Sequence, residues 1–389
     1  MLFTNAKIYT MAAAGVIPSG YVRIEGKCIK DCGPMEALRR LPGEQEEDLA
    51  GALCLPGFVD AHTHIGMWED GLDFEGDDGN EDTDPTTPHL RAIDAVNPTD
   101  RCFTEALEAG VTTVLTGPGS ANPIGGQFAA LKTSGRRIDD MILRAPVAMK
   151  FALGENPKSN YHGKSQMPVT RMAIAALIRE QLEKARRYGE DLARAAADEE
   201  LDKPEYDAKC EALLPVLRRE LKAHFHAHRA DDIFTAIRIA KEFHLDYVIV
   251  HGTEGYQAAD LLAGEGCGVL NGPLLCDRSK PELRALTPAS AGLLDKAGVP
   301  TAIITDHPVI PIQYLPLCAG LALREGMDYL SALAAITIRP AAICGIDDRV
   351  GSIEPGKDAD LAIFREDPLT LAAKPVLVLC GGETAVDRR

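Results

Sequence analysis

The chain has 389 residues, of which 46% are hydrophobic and 25% charged, enough apolar material for a large buried core and too much for a disordered polymer. Its 58 acidic residues outnumber 41 basic ones, giving a formal charge of −17, and such a surface does not displace the counterions of a nucleic-acid backbone, so nucleic acid is excluded as a partner class. The ten cysteines stand singly, without a CxxC pair, and read as reduced thiols in a cytoplasm. The opening MLFTNAKIYTM lacks the basic end and apolar run of a signal peptide, and no apolar stretch approaches the ~18 residues of a membrane span.

Residues 1 to about 53 read as short strands (Leu2 to Tyr9, Tyr21 to Glu25, Lys27 to Cys32) broken by Pro and Gly, with a helical period only around Met35 to Leu41. They are too few to own a core. The far end, GSIEPGKDADLAIFRED and then VLVLC and ETAV around a Gly-Gly turn, has the same character, so residues 1–53 and 347–389 are expected to pair into one small β-sandwich domain. Between them, residues 54–346 alternate strand-like runs with helical patterns: Leu53 to Val59, Val111 to Thr116, Gln127 to Lys132, Val147 to Leu153, Leu221 to His226, Asp246 to Val250, Cys267 to Asn271 and Thr301 to Thr305. These suit an α/β fold, a closed parallel (β/α)8 TIM barrel. Its surplus length falls into two insertions. One, near 68–97, holds nine acidic residues between Glu69 and Asp84 and reads as a solvated loop or, because it follows the chemistry directly, as a cover for it. The other, near 168–221, is helical from Arg171, breaks near Asp202-Lys203-Pro204, and reads equally as a solvated excursion or as a lid or oligomer contact. The glycine-rich GPGSANPIGGQ at 117–127 lacks the Lys-Ser/Thr end of a phosphate loop and reads as a rim loop.

LCLPGFVDAHTH carries the most chemistry. Side chains alternate along a strand, so Asp60, His62 and His64 share a face and reach its C-terminal end together, where two imidazoles can chelate one metal ion. Other strand-like runs end on or contain polar groups too: Lys150 in VAMKFAL, His224 and His226 (with His228 of the same parity) in LKAHFHAH, His251 ending DYVIVH and Asp306 ending TAIITD. Singly, a buried His is a satisfied core residue and a strand-end Asp a helix cap. Together they place five strands' polar groups on one rim.

These residues resemble the amidohydrolase superfamily, nearest its imidazolonepropionase and metal-dependent prolidase-like branch: PGFVDAHTH on the first strand, Lys150 on the fourth, His226 on the fifth, His251 on the sixth and Asp306 on the eighth, with GSIEPGKDADLAIF similar to the segment by which members re-enter their β-domain. The resemblance implies one or two divalent transition metal ions, zinc first among them. His62, His64 and Asp306 would hold one, His226 and His251 another, and Lys150, N-carboxylated, would bridge them; the imidazolonepropionase branch itself uses a single metal without such a lysine. It implies hydrolysis of a C–N bond in an amide, cyclic amide or dipeptide-like small molecule, with Asp306 as general base. The alternatives are a single-metal deaminase of an amino-azole or nucleobase, and a catalytically silent barrel that serves as a binding partner; homo-oligomerisation stays open. His89, Tyr161, His228 and Arg229, with Arg91 and Lys158, lie on segments expected near the rim and are candidates to bind a substrate carboxylate. His307 is a candidate neighbour of the ligands, and His244 reads as solvated.

Overall fold

In the computed structural model, which describes residues 1–389, the N-terminal strands bury their apolar faces by joining the other end of the chain. Strands β1 (Leu2–Tyr9), β2 (Val16–Glu25) and β3 (Cys28–Pro34) form an antiparallel meander, and β4 (Glu46–Asp48) and β5 (Leu53–Pro56) pair parallel with β1. The helical period around Met35 to Leu41 yields only a single 3-10 turn, Met35–Ala37.

The run read as one strand from Leu53 to Val59 is divided between two sheets. β5 ends at Pro56, and β6 (Phe58–Thr63) starts the barrel. The chain crosses between them at Gly57, where a Cβ would collide with the Thr112 side chain, so only glycine fits. β7 (Val111–Thr116), β8 (Ile124–Lys132), β9 (Ile142–Ala152), β10 (Lys222–Ala227), β11 (Tyr247–His251), β12 (Gly268–Asn271) and β13 (Thr301–Ile303) follow in order around an eight-stranded, nearly closed sheet. β6 and β7 are buried at every residue, the pattern of strands covered on both faces. The seam between β13 and β6 is closed where His64 N donates to His307 O (2.8 Å), Asp306 N donates to His62 O (3.2 Å) and Thr305 Oγ1 donates to Asp60 (2.5 Å).

One strand departs from the parallel expectation: β8 runs antiparallel to both β7 and β9. A parallel connection needs roughly a dozen residues or more to recross the sheet. Only residues 117–123 separate β7 from β8, so the chain turns back on itself. The glycine-rich segment is accordingly a rim loop only as far as Pro123; Ile124 to Gln127 belong to the strand.

The helical insertion is a pair, Arg171–Ala197 and Ala208–Leu217, interrupted around the anticipated Asp202-Lys203-Pro204. Thr170 caps the first helix by accepting from Ala173 N, and its buried side is Ile174, Ile178, Leu182 and Ala185, spaced three and four residues apart. After the barrel, β14 (Leu361–Phe364), β15 (Leu377–Cys380) and β16 (Glu383–Asp387) return to the first sheet, β14 pairing antiparallel with β5. Phe3, Ile8, Val22 and Ile24 from one end and Leu361, Ile363, Leu377 and Leu379 from the other share a core. All ten cysteines are free thiols, and no helix is long and apolar enough to cross a membrane.

Candidate metal centre

His62 and His64 leave the barrel at the end of β6, Lys150 stands near the end of β9, His226 at the end of β10 and His251 at the end of β11, all buried. Asp306 follows β13 and faces the two β6 rings, with Oδ1 3.3 Å from His64 Nε2 and 3.6 Å from His62 Nε2. Two three-residue groups bring their ligand atoms within 4.8 Å of one another: His62, His251 and Asp306, and His226, His228 and His251.

The far nitrogens of the rings show which atoms are free to bind. His64 Nδ1 donates to Gly117 O (2.6 Å) and His251 Nδ1 to Gly272 O (2.8 Å); a carbonyl only accepts, so the proton sits on Nδ1 and the lone pair of Nε2 turns inward. His226 Nδ1 meets Ser120 Oγ (2.8 Å) and His228 Nδ1 meets Thr253 Oγ1 (2.7 Å), and His226 Nε2 is left buried without a hydrogen-bond partner. Inward lone pairs, held by second partners and joined by a carboxylate, are a donor set that fits a divalent metal ion.

Burial disfavours the charged form of four of the rings. It presses His62, His226 and His228 well below the ordinary histidine range, Lys150 adding to the effect at His62 and His251 at the other two; His251 itself is lowered to about 4, Asp306 only partly offsetting burial. Lys150 is pushed down to about 7, mainly by burial, against the pull of Asp306. Its Nζ lies 3.1 Å from His62 Nε2. Burial works to raise Asp306, but His251, His64 and Lys150 outweigh it and keep this carboxyl below its usual range. His251 and Asp306 also carry positive φ, +73° and +56°, a conformation that costs a side chain energy and aims both groups.

A cleft of about 580 Å³ opens over this cluster, lined by His64, His226 and Asp306 at its base and by Trp68, Asn80, Asn156 and Lys280 among the residues of its wall. Trp68 and Asn80 belong to the acidic insertion, which therefore covers the site; Lys164 and Lys209, from the helical side, pair with its Asp82 and Asp84 at 2.6 Å each. Of the carboxylate-binding candidates, His228 joins the cluster. Tyr161 is fully buried and donates to Asn122 Oδ1 (2.6 Å), Arg229 forks onto Asp231, and His89 is exposed; none of these three lines the cleft. Arg91 is likewise engaged with Asp94, and Lys158 is exposed. His224, paired in register with Lys150, lies one layer deeper and belongs to neither ligand group, while His307 accepts from Ile312 N. Sequence reasoning missed Glu282, Lys280, Asn156 and Ser120: Ser120 and Lys280 sit on loops, Glu282 on a single 3-10 turn and Asn156 in the first turn of the helix Glu155–Gly163, none marked by an apolar period, and the one signal, SKPEL, resembles any charged turn.

A model of the amidohydrolase family matches residues 53–385. The chain belongs to that family. The crystal structure of an amidohydrolase from Thermotoga maritima superposes with a TM-score of 0.95 at 40% identity over 100% of both chains. The chain is 31% identical to amidohydrolase tasK of Hapsidospora irregularis over 87% of its own length and 37% of that protein's, so it spans little more than a third of that relative. It is 26% identical to an imidazolonepropionase of Geobacillus kaustophilus over 91% of its own length and 85% of that protein's. As an amidohydrolase it is a hydrolase acting on carbon–nitrogen bonds.

Proposed function

We propose that this amidohydrolase cleaves the C–N bond of a small amide, cyclic amide or dipeptide-like molecule by attack of water, with Asp306 as proton acceptor. His62, His64 and Asp306 hold one divalent ion, His226 and His251 a second, and N-carboxylated Lys150 lies between them. The observation that carries this reading is the pair of inward Nε2 atoms of His64 and His251, whose Nδ1 partners, Gly117 O and Gly272 O, allow no other orientation of the lone pair. When bound, a divalent ion lowers the pKa of water towards neutrality and polarises the scissile carbonyl.

The chain's own groups do the rest. Asp306 stays ionised because neighbouring His251, His64 and Lys150 offset its burial, so it accepts a proton from the attacking water and returns it to the leaving nitrogen. Trp68, edge-on to the His64 ring at 4.7 Å, limits solvent on one side, and the asparagines of the wall offer both donors and acceptors to a polar amide. Asp306→Asn and His62→Ala should reduce turnover by at least about 10³-fold with little loss of fold, since both sit on the catalytic rim. A panel of amides assayed in parallel for released amine and released ammonia checks this; undiminished hydrolysis by either variant removes the assignment, and ammonia from an amino-azole alone moves the enzyme to deamination.

A further inference from the structure

Glu282 has no task in that scheme, yet it is 1% exposed beside the ligands, on the turn Pro281–Leu283 of the loop after β12. A carboxylate so buried must be compensated. Its Oε2 accepts from Glu155 N (3.0 Å). Its Oε1 points at the histidines, 3.6 Å from His228 Nε2 and 3.9 Å from His226 Nε2. The full positive charge on it is Lys280 Nζ, 2.6 Å from Oε1. His226 Nε2 is buried and unpartnered.

Three imidazoles, His226, His228 and His251, have ligand atoms within 4.8 Å of one another, and Glu282 Oε1 lies within 4 Å of two of them, His228 and His226. Tetrahedral bonds of about 2.0–2.1 Å set ligand atoms roughly 3.4 Å apart, so Glu282 needs only a small contraction towards His228 and His226, while the imidazoles, bounded at 4.8 Å, and Glu282 towards His251 draw in further. We propose that His228 and Glu282 are ligands of the same divalent cation that His226 and His251 hold, so that three imidazoles and one carboxylate surround it beside the bridging position given to Lys150. The inference rests on the metal reading of the cleft and assigns His228 to the metal in place of the substrate.

Lys280 acquires a role of opposite sign. Its ammonium stands against Glu282 where the cation's charge belongs, and two positive charges at such range repel strongly. Its side chain is 28% exposed, lines the cleft and donates to Asn156 Oδ1 (2.9 Å), so it can turn outward as the cation enters. Lysine and metal then compete for one carboxylate.

Zinc binding by equilibrium dialysis with metal quantification, and the visible absorption of the cobalt-loaded protein, test this on the full chain. Glu282→Gln and His228→Gln should weaken one class of zinc site by about 10- to 100-fold and alter the cobalt spectrum. Lys280→Met should tighten that same class by at least about threefold, because a competing charge is gone. If Glu282→Gln fails to fold, Lys280→Met, a change at the partly exposed wall, decides alone. Wild-type zinc affinity and cobalt spectrum in Glu282→Gln, or unchanged or weaker binding in Lys280→Met, overturns the proposal and leaves the hydrolase reading standing. A wild-type chain that binds no zinc or cobalt overturns both.

Discussion

Lys150 sets the sharpest question at the scale of single residues. Its amine is wholly buried, its hydrogen-bond partner is the His62 ring, and the Phe128 face lies 5.6 Å from Nζ. Burial lowers it to about 7, so near neutrality a large fraction is the free amine that reaction with carbon dioxide requires. Lys150→Ala is therefore expected to lose roughly half of the bound metal, with short carboxylic acids restoring part of the rate by filling the vacated bridge; full metal and most of the rate in this variant would leave Lys150 no bridging role. Backbone strain at Asp306 is separable from its chemistry. At φ +56° alanine is strained and glycine is not, so metal-free Asp306→Gly should be about 1 kcal/mol more stable than metal-free Asp306→Ala in urea unfolding. The clustered side chains were legible because strand parity and the position of a strand's end are local properties: PGFVDAHTH, VAMKFAL and TAIITD each carry a titratable group within or at the end of an apolar run. Glu282 was not, because its burial is created by Glu155, Lys280 and His228, residues far from it in sequence or unmarked by any pattern.

Among the elements, the eight strands were legible as apolar runs, and their order around the sheet follows the chain. The direction of β8 was not read, although the length of the segment before it carried that information: residues 117–123 cannot return the chain to the opposite edge. That reversal has a local consequence, since it brings the β7–β8 loop to the catalytic rim, where Ser120 holds His226. The acidic insertion was legible as a solvated loop or a cover, and what favours the cover is a set of long-range pairs that no local pattern encodes. Lys164 and Lys209 hold Asp82 and Asp84, and all four side chains are partly exposed, so each pair contributes at most about 1 kcal/mol to stability. The double variant Lys164→Ala, Lys209→Ala should instead act on position: faster proteolysis within 68–97 and a raised KM with kcat less affected. Unchanged cleavage kinetics would mean that Trp68 and Asn80 are held without the latch.

For the whole molecule, the two sheets are joined by buried charge. Lys132, at the end of β8, meets Asp358 (2.9 Å) and Asp360 just before β14, and Arg349 forks onto Asp358 at 2.7 and 2.8 Å. Burial lowers the lysine, but Asp360 and Asp358 outweigh it and raise it; burial raises Asp358, but Arg349 and Lys132 outweigh it and lower it. A raised lysine contributes fully below its unfolded value and loses that contribution as pH climbs through the folded one, whereas a lowered aspartate contributes above its unfolded value and loses it as pH falls. The network's contribution should therefore be flat between roughly pH 5 and pH 9 and fall on both sides. Lys132→Met, which strands Asp360 while Asp358 keeps Arg349, should cost about 3–5 kcal/mol by denaturant titration inside that window; a loss under about 1 kcal/mol would mean that water reaches the cluster. Cleavage near residue 50 is expected to leave the fragments associated, because β1 and β5 are paired to each other and β5 to β14; free dissociation of residues 1–50 would deny the two ends a common domain. The connectivity also orders events during synthesis. The β7, β8 and β9 meander pairs strands close in sequence and can form as soon as residue 152 is available, which makes it the natural nucleus, since nearby partners lose little entropy in meeting. The edge of β5 waits for Leu361–Phe364, some 300 residues later, so the growing chain carries an open, sticky strand border for most of its translation. A chain truncated before β14 keeps that border open and is expected to be prone to edge-to-edge aggregation.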